Sequence, residues 1–360
     1  MQIGIVGLPY SGKTTIFSTL MKHKSGDGGH HKIEAERGVV KVPDERLDRL
    51  TAMFNPKRKV NTTVEYIKVQ GFESGAEKPQ GLPAQFIANV KTVDAILLVV
   101  RAFENDMFPH PLGRIDPAKD IAFINAEFWL SDMAIIETRV ERLEKSIKKM
   151  HLDAEQRELE LLSRCKAHLE QERPLREMEL SAEEEKLLRT YQFLTAKPLL
   201  YVLNIAESQI KQAAELEKSL ATYLTPKCAI TSLSAEIEKE ISELSEEDAQ
   251  VFMQDLGITE PALHKLIRVS YELLGLISFF TVGEDECRSW TIRAGTKAPQ
   301  AAGAIHSDLE RGFIRAETVH YKDLIALGSM HACKEKGVLR LEGKEYVVKD
   351  GDILNIRFNA

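Results

Sequence analysis

A glycine-rich stretch near the amino terminus, GLPYSGKTT at residues 7–15, has the residue types and spacing of a phosphate-binding loop. Gly7, Gly12, Lys13 and Thr14 fit the pattern GxxxxGK[ST], in which backbone N–H groups turn toward phosphate oxygens. Lys13 would reach the β- and γ-phosphates, and the Thr14 hydroxyl would bind Mg²⁺. We therefore predict that Lys13 and Thr14 are catalytic and that Thr14 is the metal ligand. The predicted phosphate-binding residues are Tyr10, Ser11, Gly12, Lys13, Thr14 and Thr15.

A second motif, Asn204-Ile205-Ala206-Glu207, follows the apolar run PLLYVL. P-loop GTPases carry their base-reading NKxD sequence at such a point, and ligands of open α/β sheets bind at this carboxyl edge. The aspartate of NKxD accepts two hydrogen bonds from guanine, but Glu207 stands in its place and Ile205 replaces the lysine. Guanine is therefore less favoured, and adenine or a relaxed choice of base is open. The loop predicted to close over the base is Ser234, Ala235 and Glu236.

Strands and helices must position these motifs, because a phosphate loop alone fits kinases, ATPases and GTPases equally. The run QIGIV at 2–6 predicts a buried strand, and SGKTTIFSTLMKH opens a helix directly after it. Residues 61–71, 94–103 and 198–208 predict further strands. The continuous apolar run DAILLVVRAF is typical of a strand inside a parallel sheet. The prediction is an α/β fold with the doubly wound sheet of a P-loop NTPase.

The middle of the chain predicts helices of a different kind. Ile136, Val140, Leu143, Ile147 and Met150 follow the 4-3-4-3 spacing of a coiled-coil seam. SAEE at 181–184 is a capping-box start for another helix, which we expect to run to about residue 194. These segments predict an antiparallel helical arm inserted into the sheet domain. From about residue 278, strands separated by glycine turns predict a small mixed-sheet domain.

Composition limits the class of protein. The 360 residues are 43% hydrophobic and 29% charged, with a net charge of −7, which is typical of a globular protein without general affinity for nucleic acid. The four cysteines are widely spaced, and no apolar run approaches the ~20 residues that span a bilayer. The phosphate loop begins too close to Met1 for a removable signal peptide. We expect a cytoplasmic protein that contacts neither membrane nor DNA.

The motifs together resemble the YchF family, the Obg-like ATPases. The resemblance runs almost end to end and is carried by GLPYSGKTT, GVVKVPDERLDRL, TTVEYIKVQGF, GLPAQFIANVKTVDAILLVVRAFEND, NIAE, SAEIEKEISEL, LIRVSYELLGLISFFTVGEDECRSWTIRAGTKAPQAAGAIHSDLERGFIRAE and EGKEYVVKDGDILNIRFNA. It implies a P-loop NTPase domain at 1–127 and 197–277, a coiled-coil arm at 128–196, and a ubiquitin-like (β-grasp) TGS domain at 278–360. It also implies ATP or GTP as ligand, Mg²⁺ as cofactor, and a ribosomal or RNA-associated partner bound through the TGS domain and the arm. Members of the family typically hydrolyse ATP in preference to GTP.

Three positions depart from the family pattern. Tyr10 replaces the asparagine of GLPNVGKST, which in related potassium-stimulated GTPases helps to hold K⁺. Lys32 replaces the switch threonine, and Lys68 replaces the aspartate of DIAGL, so both groups that would hold Mg²⁺ from outside the loop are lysines.

These departures leave two functional interpretations open. The first is a nucleotide-binding protein that slowly hydrolyses ATP, or GTP, with Lys32 and Lys68 partly replacing Mg²⁺ in neutralising phosphate charge. The second is a pseudo-NTPase, a scaffold or binding module that has lost hydrolysis through the same two substitutions. A P-loop kinase is disfavoured, because NIAE and the TGS-like tail have no place in one.

A short basic run, Lys57-Arg58-Lys59, precedes a predicted strand. We expect it to form a hairpin tip in solvent, with a contact to RNA phosphates as the alternative.

Overall fold

A computed structural model describes residues 1–22, 37–69, 82–149 and 152–359. The chain divides into two compact units, a larger one of residues 1–39 and 65–266 and a smaller one of residues 40–64 and 267–360. This division groups residues 40–64 with the carboxyl-terminal segment. The domain limits given above, including the start of the arm at 128, stay predictions.

The larger unit is built around a six-stranded sheet with the order β2-β4-β1-β5-β6-β7. Its strands are β1 (Gln2–Val6), β2 (Arg37–Lys41), β4 (Thr63–Lys68), β5 (Ala95–Arg101), β6 (Leu199–Asn204) and β7 (Cys228–Leu233). The pairs β1–β4, β1–β5, β5–β6 and β6–β7 are parallel. Every residue of β5 and β6 is buried, as a parallel sheet covered on both faces requires, so the strands predicted from these apolar runs are confirmed.

Helices cover this sheet and extend from it. They are α1 (Lys13–Lys22), α3 (Ala84–Lys91), α4 (Pro117–Ile147), α5 (Asp153–Glu170), α6 (Ala182–Arg189), α7 (Ala213–Ser219), α8 (Ala235–Glu243) and α9 (Glu246–Leu256). Phe86 and Val90 of α3 and Ile121 and Phe128 of α4 pack with β5 and β6 into one buried cluster. This cluster fixes the carboxyl edge of the sheet, where β1, β5 and β6 end.

The arm lies between β5 and β6 in the chain and has its own apolar core. Ile136, Leu143 and Ile147 of α4 pack against Leu162 and Cys165 of α5, which confirms the predicted seam. Met150 lies outside the described residues.

Two polar features shape the ends of the arm. The fully buried carboxylate of Asp132 accepts hydrogen bonds from the N–H groups of Leu194 (2.9 Å) and Thr195 (2.7 Å). It thereby ties α4 to the chain returning to β6. The capping box of Ser181 and Glu184 is present, but α6 ends at Arg189, so its predicted extension to about residue 194 is wrong.

The smaller unit is built around a second six-stranded sheet, with the order β11-β10-β12-β8-β9-β3. Its strands are β3 (Arg58–Val60), β8 (Leu276–Thr281), β9 (Glu286–Arg293), β10 (Phe313–His320), β11 (Arg340–Glu342) and β12 (Asp352–Phe358). Its helices are α2 (Glu45–Phe54), α10 (Ala262–Leu273, which begins in the larger unit), α11 (Ala298–Ile305), α12 (Ser307–Arg311), α13 (Tyr321–Leu327) and α14 (Met330–Glu335). Parallel and antiparallel pairs coexist, which confirms the predicted mixed sheet.

The basic run of residues 57–59 is not a hairpin tip. Arg58 and Lys59 lie in β3, which pairs in parallel with β9. Lys57 forms an ion pair with Asp285 and Arg58 with Glu286, each over 2.7 Å. Because residues 58–60 form a strand of the second sheet, the prediction of a hairpin tip is wrong, while the side chains of Lys57 and Arg58 are exposed to solvent as predicted.

Candidate nucleotide-binding site

The phosphate loop joins the end of β1 to the start of α1 and depends on its glycines. Gly7 has φ +152° and Gly12 has φ +97°, conformations that L side chains rarely adopt. A Cβ atom on Gly7 would lie 2.3 Å from the Val99 oxygen, and one on Gly12 would lie 2.1 Å from Asn204 Nδ2. Both positions therefore require glycine for conformation and for space. The loop brings the amino-terminal end of α1, with its partial positive charge, to the carboxyl edge of the sheet.

Lys13 is the first residue of α1, and its side chain folds back over the loop. Its Nζ donates a hydrogen bond of 2.7 Å to the Leu8 oxygen. Burial, together with the positive charge of Lys68, lowers the pKa of Lys13 to about 8. The ammonium group therefore lies in a poorly hydrated place beside a second cation, where an anion would be attracted strongly.

The hydroxyl residues of the loop differ in orientation. Thr14 is exposed and Thr15 is half-buried. Ser11 is 2% exposed, and its Oγ has no hydrogen-bond partner among the described residues. Since this oxygen lies beside Gly7 and lines a small interior cavity with His110 and Asp120, the side chain of Ser11 faces the protein rather than solvent.

Asn204, the last residue of β6, connects two of the predicted site segments. Its Nδ2 donates to the main-chain oxygen of Ser11 over 3.0 Å, and its Oδ1 accepts from the Ala235 N–H over 3.0 Å. Asn204 is 4% exposed, so these bonds are shielded from water. The structure thus brings the phosphate loop, the NIAE motif and the 234–236 turn together through one carboxamide.

The other residues of these two motifs are placed differently. Ile205 is buried in the apolar cluster of the sheet, so its side chain is not available to a ligand. Glu207 and Glu236 are exposed. Ser234 caps α8, with its hydroxyl accepting from the Ile237 N–H. Within the NIAE motif, Glu207 is therefore the polar side chain that is exposed to solvent and open to a ligand.

Lys68 ends β4 and pairs in register with Ile5, two residues before the phosphate loop. Its neighbours Ile67 and Val69 pack in the cluster with α3, so alternation along the strand points Lys68 to the opposite face. Its positive charge is the second cause, after burial, of the lowered pKa of Lys13. Lys32 lies outside the described residues.

Sequence reasoning missed a polar network behind the loop. The guanidinium of Arg101, which is 2% exposed, donates from Nε to the Phe103 oxygen (3.0 Å) and from Nη1 to the Phe108 oxygen (2.7 Å). His110 and Asp120, both buried, form a 2.8 Å hydrogen bond. The available signal was the single arginine that ends the otherwise apolar strand AILLVVR.

Comparison with known proteins identifies the family. The family model YchF-GTPase_C, described as a protein of unknown function (DUF933), matches residues 276–359. The Ribosome-binding ATPase YchF of Bacillus subtilis (strain 168) is 45% identical over 365 aligned residues, covering 100% of this chain and 100% of that protein. The chain belongs to the YchF family.

Further YchF proteins agree with this assignment. The Ribosome-binding ATPase YchF of Escherichia coli O157:H7 is 42% identical over 361 aligned residues, covering 100% of this chain and 99% of that protein. The solved Schizosaccharomyces pombe YchF GTPase superimposes with a TM-score of 0.88 at 34% identity, covering 99% of this chain and 97% of that one. The predicted family and the mixed α/β fold are therefore confirmed. Within its described ranges, this YchF chain has no helix with the length and apolar character needed to cross a membrane.

Proposed function

We propose that this YchF-family chain binds ATP at its phosphate loop, hydrolyses it slowly, and couples nucleotide state to the ribosome or an RNA-associated partner. The observation that carries the proposal is the position of Lys13 at the start of α1, on a loop whose two glycines are required by conformation and space. The relatives named above, which are called ribosome-binding ATPases, support the activity and the partner.

Each site segment receives a role. When nucleotide binds, Lys13 Nζ exchanges its bond to the Leu8 oxygen for bonds to the β- and γ-phosphates. Together with the loop amides and the Thr14 hydroxyl, it stabilises the charge that develops as water attacks the γ-phosphate. Asn204 acts through the backbone, by holding the loop against the 234–236 turn. The exposed carboxylate of Glu207 accepts a hydrogen bond from the adenine amino group.

Magnesium fits the described residues only in part. Mg²⁺ at nucleotide sites is usually held by one or two carboxylates together with phosphate oxygens. Thr14 offers a hydroxyl, but no group of three or more histidine, cysteine, aspartate or glutamate side chains suited to a metal occurs in the ranges that the structure describes. Lys68 instead directs a positive charge at the region of Lys13. Because the Thr14 hydroxyl is the one protein donor assigned to the metal, we route no step through the metal.

Lys68 is proposed to take over part of the metal's electrostatic role, with Lys32 assigned the same role from the sequence alone. Two ammonium groups beside one phosphate chain neutralise charge but cannot order a hydration shell. We therefore expect ATP to bind with little dependence on Mg²⁺ and to be hydrolysed slowly. Calorimetric titration of ATP with and without a chelator measures this directly, and a collapse of binding in the chelator would contradict it.

A single-turnover ATP assay separates the enzyme from its alternative. Lys13→Ala should abolish hydrolysis, since it removes the cation that contacts the transferring group. Lys68→Asp should restore a dependence on Mg²⁺ and, with it, a faster rate. Arg189→Ala, which alters an exposed residue of α6, serves as the control and should leave the rate unchanged.

A pseudo-NTPase is the second candidate, and the lysine at position 68, whose positive charge lowers the pKa of Lys13, favours it specifically. A protein of this class binds nucleotide but does not cleave it. It would show no turnover before mutation and would gain turnover in Lys68→Asp. Turnover in the unmodified protein that is lost in Lys13→Ala excludes this class.

The partner is proposed to bind through the arm and the carboxyl-terminal domain, for which the resemblance suggests a TGS fold. The basic run Lys57-Arg58-Lys59 is not assigned to RNA, because its charges are paired with Asp285, Glu286 and Asp48. Co-sedimentation with purified ribosomes, with and without ATP, tests this part. A protein that stays in the supernatant under both conditions would refute it.

A further inference from the structure

Tyr10, the residue that distinguishes this phosphate loop, stacks on Phe108. The ring centroids lie 5.3 Å apart and the planes are inclined by 30°. Tyr10 has φ +60°, a left-handed conformation that costs energy for any residue other than glycine. Tyr10 is 41% exposed and Phe108 is 48% exposed. A strained loop residue is therefore joined, at the protein surface, to the segment that follows β5.

The position of Phe108 is fixed from the interior side. Its carbonyl oxygen accepts from Nη1 of the buried Arg101 over 2.7 Å, and its N–H donates to Asn105 Oδ1 over 3.2 Å. The Arg101 guanidinium also lies over the Phe103 ring, 4.7 Å from its centroid. The backbone that carries the Phe108 ring is thus held by a buried cation.

The same network returns to the phosphate loop by a second route. Arg101 pairs in register with Asn204, and the Ala102 N–H donates to the Asn204 oxygen over 2.8 Å. The Asn204 side chain in turn donates a hydrogen bond to the main-chain oxygen of Ser11. Ser11 follows Tyr10 in the chain, so these contacts form a closed set that begins and ends at the phosphate loop.

The contacts of this closed set differ in strength. The hydrogen bonds of the Asn204 side chain are buried, and those of Arg101 are partly buried and come from a guanidinium group on a residue that is 2% exposed. Opening them would leave polar groups without partners away from water. The aromatic stack joins two half-exposed rings, and such a pair contributes modestly to stability. The least protected contact of a structure opens first. The Tyr10–Phe108 stack is therefore the contact of this closed set that opens first.

We propose that the Tyr10–Phe108 stack positions residues 102–108 against the phosphate loop and sets the rate at which bound nucleotide leaves. Tyr10 is a positioning residue in this scheme, since its ring acts by holding the loop conformation that binds phosphate. A loop held in its binding conformation before the ligand arrives loses less freedom on binding, which lengthens residence of the ligand. The inference rests on the proposed function, because it requires that the loop bind nucleotide.

Nucleotide release is the first test. Tyr10→Gly removes the ring and also relieves the left-handed strain, and Phe108→Ala removes the ring from the other side. In stopped-flow release of a fluorescent ATP analogue, each should raise the dissociation rate by about two- to twelvefold, the range expected from the coupling of one aromatic pair. The double variant should match the single ones, because the two rings form one contact.

Two control variants separate the stack from its surroundings. Phe108→Tyr keeps a ring at this position and should keep the slow release. Met107→Ala truncates the neighbouring side chain, which is 83% exposed, and should also leave release unchanged. The thermal midpoints of Phe108→Ala, Phe108→Tyr and Met107→Ala should stay close to that of the unmodified protein, because these side chains are exposed. Tyr10→Gly is left out of this comparison, since relief of the left-handed strain changes its stability as well.

Hydrogen exchange in the nucleotide-free protein is the second test. The N–H groups of Met107 and Phe108, which donate to Asn105 Oδ1, should exchange faster in Tyr10→Gly. Unchanged release in both ring-deleting variants, or additive effects in the double variant, would overturn the inference while leaving nucleotide binding intact. Failure of the unmodified protein to bind any nucleotide would overturn the proposed function, and this inference with it.

Discussion

The side-chain amide of Asn204 donates a 3.0 Å hydrogen bond to the main-chain oxygen of Ser11, so the last residue of β6 braces the phosphate loop. The opposite end of the same carboxamide accepts from the Ala235 N–H. One buried side chain therefore sets the distance between the loop that would hold phosphate and the turn at the start of α8.

Replacement of Asn204 by alanine should lower the free energy of unfolding by about 2–3 kcal/mol, because the Ser11 oxygen and the Ala235 N–H lose their buried partner. Chemical denaturation monitored by circular dichroism measures this change. Asn89→Ala, at a half-buried position of α3 whose side chain accepts from Gln85, should change stability by less than about 0.5 kcal/mol. Equal effects of the two substitutions would show that the two hydrogen bonds of the Asn204 side chain do not stabilise the protein.

Gly12→Ala should abolish nucleotide binding, since its Cβ would meet Asn204 Nδ2 at 2.1 Å and its φ is +97°. Gly257→Ala is the matched control, with φ +71° and no atom within 4 Å of the added Cβ. It should cost about 1–2 kcal/mol of stability, from the left-handed conformation alone, and leave binding intact. Isothermal titration with ATP distinguishes the two, and normal binding by Gly12→Ala would refute the close packing.

Nucleotide affinity should fall as pH rises through about 8, the value to which burial and the charge of Lys68 lower the pKa of Lys13. The lowered pKa means that the free protein loses the ammonium charge within this range, and the neutral amine no longer attracts phosphate. Affinity at pH 9 should be roughly tenfold weaker than at pH 7, which follows from the protonated fraction of one group. Titrations at several pH values test this.

Lys68→Met provides the internal control for that profile. Removing the neighbouring cation should raise the pKa of Lys13, so the decline in affinity moves to higher pH. Burial remains as the first cause, and the pKa should therefore return only part of the way to its ordinary value. An unchanged profile in Lys68→Met would show that the two charges do not interact.

Arg176→Met should stabilise the protein by about 1 kcal/mol or more. Arg176 is 6% exposed, and its Nε and Nη1 are buried without a hydrogen-bond partner among the described residues. Replacing a poorly compensated buried charge with an apolar side chain of similar length removes its desolvation penalty. Arg173→Met, at an exposed position in the same connection, should have little effect. Thermal denaturation of both variants measures this difference. Loss of stability in Arg176→Met would show that the buried charge of Arg176 is compensated.

The sequence was sufficient where the signal is local. The phosphate loop, the buried strands β5 and β6, the seam of the arm and the capping box at Ser181 each depend on residues close together in the chain. Their spacing follows the period of a helix or the burial of a strand, so they could be predicted. The end of α6 and the basic run at 57–59 were predicted wrongly. The N–H groups of Leu194 and Thr195 bond to Asp132 of α4 rather than within a helix, and the basic run pairs with the distant strand β9.

The sequence by itself determined that the chain belongs with P-loop proteins and which residues could contact phosphate. Only the tertiary structure placed Asn204 against Ser11, put Ile205 in the core, set Lys68 near Lys13 and stacked Tyr10 on Phe108. These relationships join segments far apart in the chain and depend on which strands are neighbours in the sheet. A local pattern carries no information about that order, so the environment of each charge and ring had to come from the fold.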